Sequence, residues 1–87
     1  MKLIFAIVRD SDSDSVTQGL TSADFRVTRV ASTGGLLRRG MTTLLIGVEA
    51  EQVETVIQFF HKTCTPAVAG EKRATIFVVP VDRFEQI

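Results

Sequence analysis

The strongest constraint on this chain is the order in which strand-like and helix-like segments follow one another. Residues 2–9, KLIFAIVR, are short, β-branched and aromatic, and they stop at the polar cluster DSDSDS (10–15), which suits a strand running into a helix. In that cluster Asp12 or Ser13 can cap the helix, and Asp14 sits where a carboxylate suits the helix dipole. Val16, Leu20 and Ala23 then recur at helical spacing, with Gly19 weakening the segment. FRVTRVAST (25–33) is a second strand, whose Arg26, Thr28 and Ser32 fall on one face by the two-residue period. TTLLIGVEA (42–50) is a third strand. EAEQVETVIQFFHKTC (49–64) is the clearest helix, with Val53, Val56, Ile57, Phe60 and Cys64 on one stripe and Glu51, Glu54, Gln58 and Lys62 opposite. A turn-like TPAVAGEK (65–72) leads to the last strand, RATIFVVPV (73–81), and a short tail, DRFEQI.

The order βαββαβ, with right-handed crossovers, leads to an α+β, ferredoxin-like sandwich: a four-stranded antiparallel sheet with both helices on one face. If the other face were solvated, each strand would alternate apolar with polar. Instead the first strand offers Leu3, Phe5 and Ile7 on one side and Ile4, Ala6 and Val8 on the other. The last strand repeats this, with Ala74, Ile76 and Val78 against Phe77 and Val79. Both faces therefore need cover, and the simplest cover for the second is another copy of the chain, in a closed ring such as a trimer rather than an open filament.

Length and charge agree with this. Residues 1–87 fit one domain, and a domain of that size buries only roughly 60–65 % of its unfolded surface, so association adds needed burial. Ten basic residues balance ten acidic ones, which leaves no strong positive field for general nucleic-acid binding and little repulsion between copies. Cys64 is the only cysteine, so no internal disulfide framework marks the chain as secreted, and a cytoplasmic location is expected. The apolar start ends at Arg9 and Asp10, too soon for a membrane span, and no small-residue cleavage site follows.

The segment ASTGGLLRRGMTT (31–43) is too rich in Gly and Leu for a plain hairpin turn. Gly35, Gly40, Met41 and Thr42 copy most of a phosphate-binding P-loop, but Met41 replaces its lysine and a strand follows where a helix is required. Arg38 and Arg39 are either solvated or partner-facing. Asp10, Asp12 and Asp14 resemble the start of an EF-hand loop, yet Ser15 stands in place of the required Gly and Thr21 in place of the closing Glu, so helix capping is the better reading. His61 and Cys64 share a helix face but lack a second ligand pair, so no metal site is assigned and Cys64 reads as a core residue. No nucleophile and base stand at a catalytic spacing, so the chain is not read as an enzyme. Phe84 and Ile87 read as packing anchors that pin Gln86.

Three stretches, MKLIFAIVRD, DFRVTRVASTGGLLRRGMTTLLIGV and ATIFVVPVDRFEQI, together resemble the PII-like cyclic di-AMP receptor proteins, relatives of the nitrogen-regulatory PII proteins. The most specific parts are STGG with its Leu pair, TTxLxGV and VxPVxxFEQ; only residues 65–73 fall outside the likeness. The resemblance implies a PII-like homotrimer that binds cyclic di-AMP in clefts between subunits, needs no cofactor and signals to a downstream protein. Residue by residue, it implies ligand contacts at Asp24, Arg26, Thr28, Gly35, Leu36, Leu37, Met41, Gly47, Phe77 and Gln86. The chemistry suits these assignments. Gly34 and Gly35 allow close backbone approach, Arg26 can engage a phosphate or stack on a base, Leu37 and Phe77 can sandwich a purine, and Gln86 offers a donor and an acceptor to an adenine edge.

The chain departs from the family pattern at Leu36, where an aromatic residue is usual, at Met41, where asparagine is usual, and in the short connection 65–73, where a much longer loop is usual. A more open pocket follows. The alternative reading is a trimeric interaction or scaffold protein that has lost nucleotide binding, or one that takes a different nucleotide or anion.

Overall fold

The computed structural model describes residues 1–30, 40–67 and 70–87. Its elements are β1 (Lys2–Arg9), α1 (Asp10–Ser22), β2 (Arg26–Val30), β3 (Met41–Val48), a 3-10 turn (Ala50–Gln52) leading into α2 (Val53–Thr63), and β4 (Ala74–Pro80). The strands form one sheet in the order β2-β3-β1-β4, with every neighbouring pair antiparallel. This is the α+β ferredoxin-like arrangement read from the segment order.

Two-residue alternation divides the sheet into faces. Ile4, Ala6 and Val8 of β1 lie in register with Ile46, Leu44 and Thr42 of β3 and with Val78, Ile76 and Ala74 of β4. That face carries the helices. Ile4, Ala6, Val8, Leu44, Ile46 and Val48 form a buried core with Val16 and Leu20 of α1 and with Val56, Phe60 and Cys64 at α2. The stripe read from the sequence of α2 is thus the stripe that packs. Glu49 starts this segment through a reciprocal box with Gln52, whose side chain accepts from the Glu49 N–H at 2.9 Å.

The opposite face bears Leu3, Phe5 and Ile7 of β1, Leu45 of β3, Phe77 and Val79 of β4, and Val30 of β2. Phe5 is 39 % exposed and its cross-strand neighbour Phe77 is 55 % exposed. The second apolar face expected from the two-sided strands is there, and among the described residues no element covers it.

Other expectations need correction. Neither Asp12 nor Ser13 caps α1: the helix begins at Asp10 directly after the strand, its N-cap is Arg9 in extended backbone, and no side chain caps it. Asp12 instead lies inside the first turn and is 2 % exposed. Phe84 and Ile87 do not anchor the tail within this chain, being 62 % and 120 % exposed. The tail is tied only at its root, among the described residues, where the Val81 N–H donates to the Met1 carbonyl at 3.1 Å.

Candidate functional site

The β register sets the geometry of the candidate residues. Thr28 pairs with Leu45, Leu45 with Phe5, and Phe5 with Phe77, so these four make one row across the helix-free face. Three interstrand spacings separate its ends, roughly 14 Å. A second row runs Arg26, Gly47, Leu3, Val79. Arg26, Thr28, Met41, Gly47 and Phe77 therefore share a sheet face, but not a single spot on it. Arg26 and Thr28 belong to one outer strand and Phe77 to the other, while Met41 and Gly47 lie at opposite ends of β3, about 20 Å apart.

Gly47 stands directly opposite Arg26. A β-carbon at Gly47 would approach Met1 Cε to 3.2 Å, so the Met1 side chain packs over the glycine. Asp24 has φ 69°, a left-handed conformation, and serves the exit from α1. Its N–H donates to the Thr21 carbonyl at 3.0 Å and the Phe25 N–H to the Leu20 carbonyl at 3.0 Å, a Schellman ending with Asp in the position glycine usually takes. Asp24 is exposed beside Arg26 in sequence, and Gln86 is exposed in the tail. Gly35, Leu36 and Leu37, with the rest of the 31–39 stretch, lie outside the described residues.

The three acidic residues of the first cluster each have a separate protein partner. Asp10 accepts from the Thr42 hydroxyl, Asp12 from Arg9 Nη2 at 3.1 Å and Thr65 Oγ1 at 3.0 Å, and Asp14 from Arg29 Nη1 at 2.8 Å. They do not converge, and among the described residues no group of three or more His, Cys, Asp or Glu could hold a metal ion. No helix among them is long and apolar enough to cross a membrane.

A small cleft of about 140 Å³ opens between α2 and the start of β4, lined by Ile57, Phe60, His61, Cys64, Arg73 and Ile76 among others. Arg73 folds back here: Nη1 donates to the His61 carbonyl at 3.0 Å, and Nη2 lies 3.2 Å from His61 Nδ1. The guanidinium thus satisfies the C-terminal end of α2, where a cation is favoured. Burial pushes the Cys64 thiol up, Asp12's negative charge adds to this, and Arg73 and Arg9 oppose it. Cys64 is a core thiol, as the sequence indicated. Sequence reasoning missed the partners of Asp10 and Asp12. The one signal available was the abrupt passage from strand to acidic cluster, with no turn residue between Arg9 and Asp10.

A sequence model of the family described as cyclic-di-AMP receptor matches residues 1–69. That span includes Asp24, Arg26, Thr28, Gly35, Leu36, Leu37, Met41 and Gly47, and leaves Phe77 and Gln86 beyond it. Among solved structures, the crystal structure of a functionally unknown protein from Pediococcus pentosaceus ATCC 25745 is similar throughout. It is 33% identical, with a TM-score of 0.80, over 99% of this chain and 96% of that one.

Proposed function

The chain belongs to the cyclic-di-AMP receptor family, and from that premise we propose that it is a PII-like signalling protein that binds cyclic di-AMP in clefts between neighbouring copies of a homotrimer. The observation that carries this reading is the row from Thr28 to Phe77. Its ends occupy opposite edges of the sheet, and the exposed Phe5 lies between them on an apolar face. A single chain cannot close both ends on one ligand, whereas the β2 edge of one copy and the β4 edge of the next can.

In this arrangement Arg26 meets a phosphate or stacks on a base, and Thr28 offers a hydroxyl beside it. Gly47 keeps the sheet surface low at the level of Arg26, beside the Met1 side chain, and Met41 bounds the far end of β3. Leu36 and Leu37 with Phe77 supply apolar surface to an adenine, Gly35 a close backbone approach, and Gln86 an amide for the base edge. Asp24 lies in the turn that leads into Arg26's edge strand. The occupied cleft then presents or hides a surface for a downstream protein, a shift that requires the ligand to prefer one state of the trimer.

Isothermal titration tests the reading. Saturable heat with one cyclic di-AMP per chain supports it; no heat at high protein concentration, with the trimer verified by light scattering, removes it. The scaffold reading is favoured by one observation, the use of Arg73 to close α2, which spends the short connection on the chain's own helix. A nucleotide panel read by thermal shift separates the two, because a ligand bound only by the folded state must raise apparent stability.

A further inference from the structure

We infer that Asp10 and Asp12, at the junction of β1 and α1, are positioning residues for the nucleotide site, holding the entry of β3 and the segment after α2 against one support. The inference rests on the placement of Met41 beside the ligand.

Asp10 grips both neighbours of Met41. Its N–H donates to the Gly40 carbonyl at 2.8 Å, and its carboxylate accepts from the Thr42 hydroxyl. Gly40 has φ +85°, so the chain turns there in a conformation that a side chain would strain, and the Asp10 bond pins the turn where the strand begins. Two residues on, Asp12 grips Thr65. It accepts from the Thr65 hydroxyl at 3.0 Å and from the Thr65 N–H at 3.3 Å. Arg9 closes the cluster: Nη2 donates to Asp12, to the Thr65 hydroxyl at 2.8 Å and to the Thr65 carbonyl, while Nη1 donates to the Pro66 carbonyl at 3.3 Å.

The two grips sit on the same helical turn, separated along its axis by about 3 Å. No loop intervenes between β1 and that turn. A shift of Thr65 therefore moves Asp12, and through the rigid first turn it moves Asp10 and the Gly40–Thr42 segment. Asp12 has strong reason to follow Thr65, because a carboxylate that is 2 % exposed is costly without its donors. The Asp10 carboxylate is different: it lies on an exposed residue, and neither the sheet ladder nor the helix needs its bond to Thr42.

The test compares Thr65→Val with Thr65→Ser, which keeps the hydroxyl, reading the amide resonances of residues 40–42 by NMR and the cyclic di-AMP affinity by calorimetry. Thr65→Val is expected to shift those amides and weaken binding roughly tenfold, with Thr65→Ser close to wild type. Thr42→Val, which removes only the Asp10 bond, serves as a second variant should Thr65→Val fail to fold; it is expected to weaken binding by a similar factor, with Thr42→Ser restoring it. Unmoved amides, or moved amides with unchanged affinity, beside intact wild-type binding overturn the positioning role alone. A wild-type protein that gives no binding heat overturns the nucleotide reading and the positioning role with it.

Discussion

The ring of Phe59 on α2 occupies the space that a β-carbon on Gly19 of α1 would need, with the ring's Cζ 2.1 Å from that position. Helix propensity alone favours alanine over glycine by about 1 kcal/mol. Overpacking against a ring seated between two helices costs roughly 1–3 kcal/mol. Packing wins, so Gly19→Ala is expected to lower stability by about 1 kcal/mol in urea denaturation. Adding Phe59→Ala should reverse the sign of the Gly19→Ala effect, which a double-mutant cycle measures directly.

Asp24 is both the left-handed residue that ends α1 and a proposed ligand contact, and substitutions can separate these roles. Asp24→Val places a β-branched residue at φ 69° and is expected to cost about 1–2 kcal/mol. Asp24→Gly suits the backbone and should leave the melting temperature at or slightly above wild type. If Asp24 touches the ligand, Asp24→Gly still weakens cyclic di-AMP binding in calorimetry despite its intact stability.

The apolar sheet face is the surface that the proposed trimer would bury. Phe5 and Phe77 are neighbours in register and both exposed in a single chain. Burying them between copies is worth roughly 1.5–3 kcal/mol for each side chain fully covered. Phe5→Glu would place a carboxylate on that face, where the proposed trimer would bury it. Light scattering at micromolar concentration should then report a monomer in place of the trimer, with far-UV circular dichroism unchanged because the helix-side core is untouched. A wild-type monomer under the same conditions would contradict the assembly outright.

Cys64 makes stability sensitive to alkali. Burial first, and Asp12's charge second, hold its thiol above the ordinary range. The folded state thus favours the protonated thiol, and the stability that this contributes is complete below the unfolded thiol's value and lost as pH rises through the folded one. Urea stability is expected to be flat in this respect at neutral pH and to fall above about pH 9. Cys64→Ala should flatten the alkaline decline. Alkylation of the native thiol at pH 7 should be slow compared with the unfolded chain.

Much of the fold was legible because its main devices are periodic. The two-sided β1, the stripe of α2 and the order of segments lead to the observed sheet, and the same two-residue period put Arg26 and Thr28 on one face. What escaped depends on partners distant in sequence. Asp12 looks like a cap when read locally, but its donor Thr65 lies 53 residues away. Gly19 reads as a weak point in a helix until the crossing with Phe59 explains it. Apolarity in Phe84 and Ile87 suggested anchorage, yet apolar character does not say which surface a residue meets, and among the described residues both are left exposed. The site divides in the same way. The faces of its residues follow from strand alternation, whereas the Thr28-to-Phe77 row depends on a register that only the pairing of strands sets.

The strand order β2-β3-β1-β4 has a further consequence for inheritance of defects. With Arg26 on one outer strand and Phe77 on the other, each copy in the proposed ring would lend one wall to the cleft on its left and a different wall to the cleft on its right. Chains lacking Arg26 and chains lacking Phe77 would each be impaired alone. Mixed in one ring, they would rebuild an undamaged cleft at one boundary between unlike neighbours and gather both lesions at the other. Two defective alleles of such a protein would partly heal each other, and a single defective allele would leave its mark on the normal copies beside it.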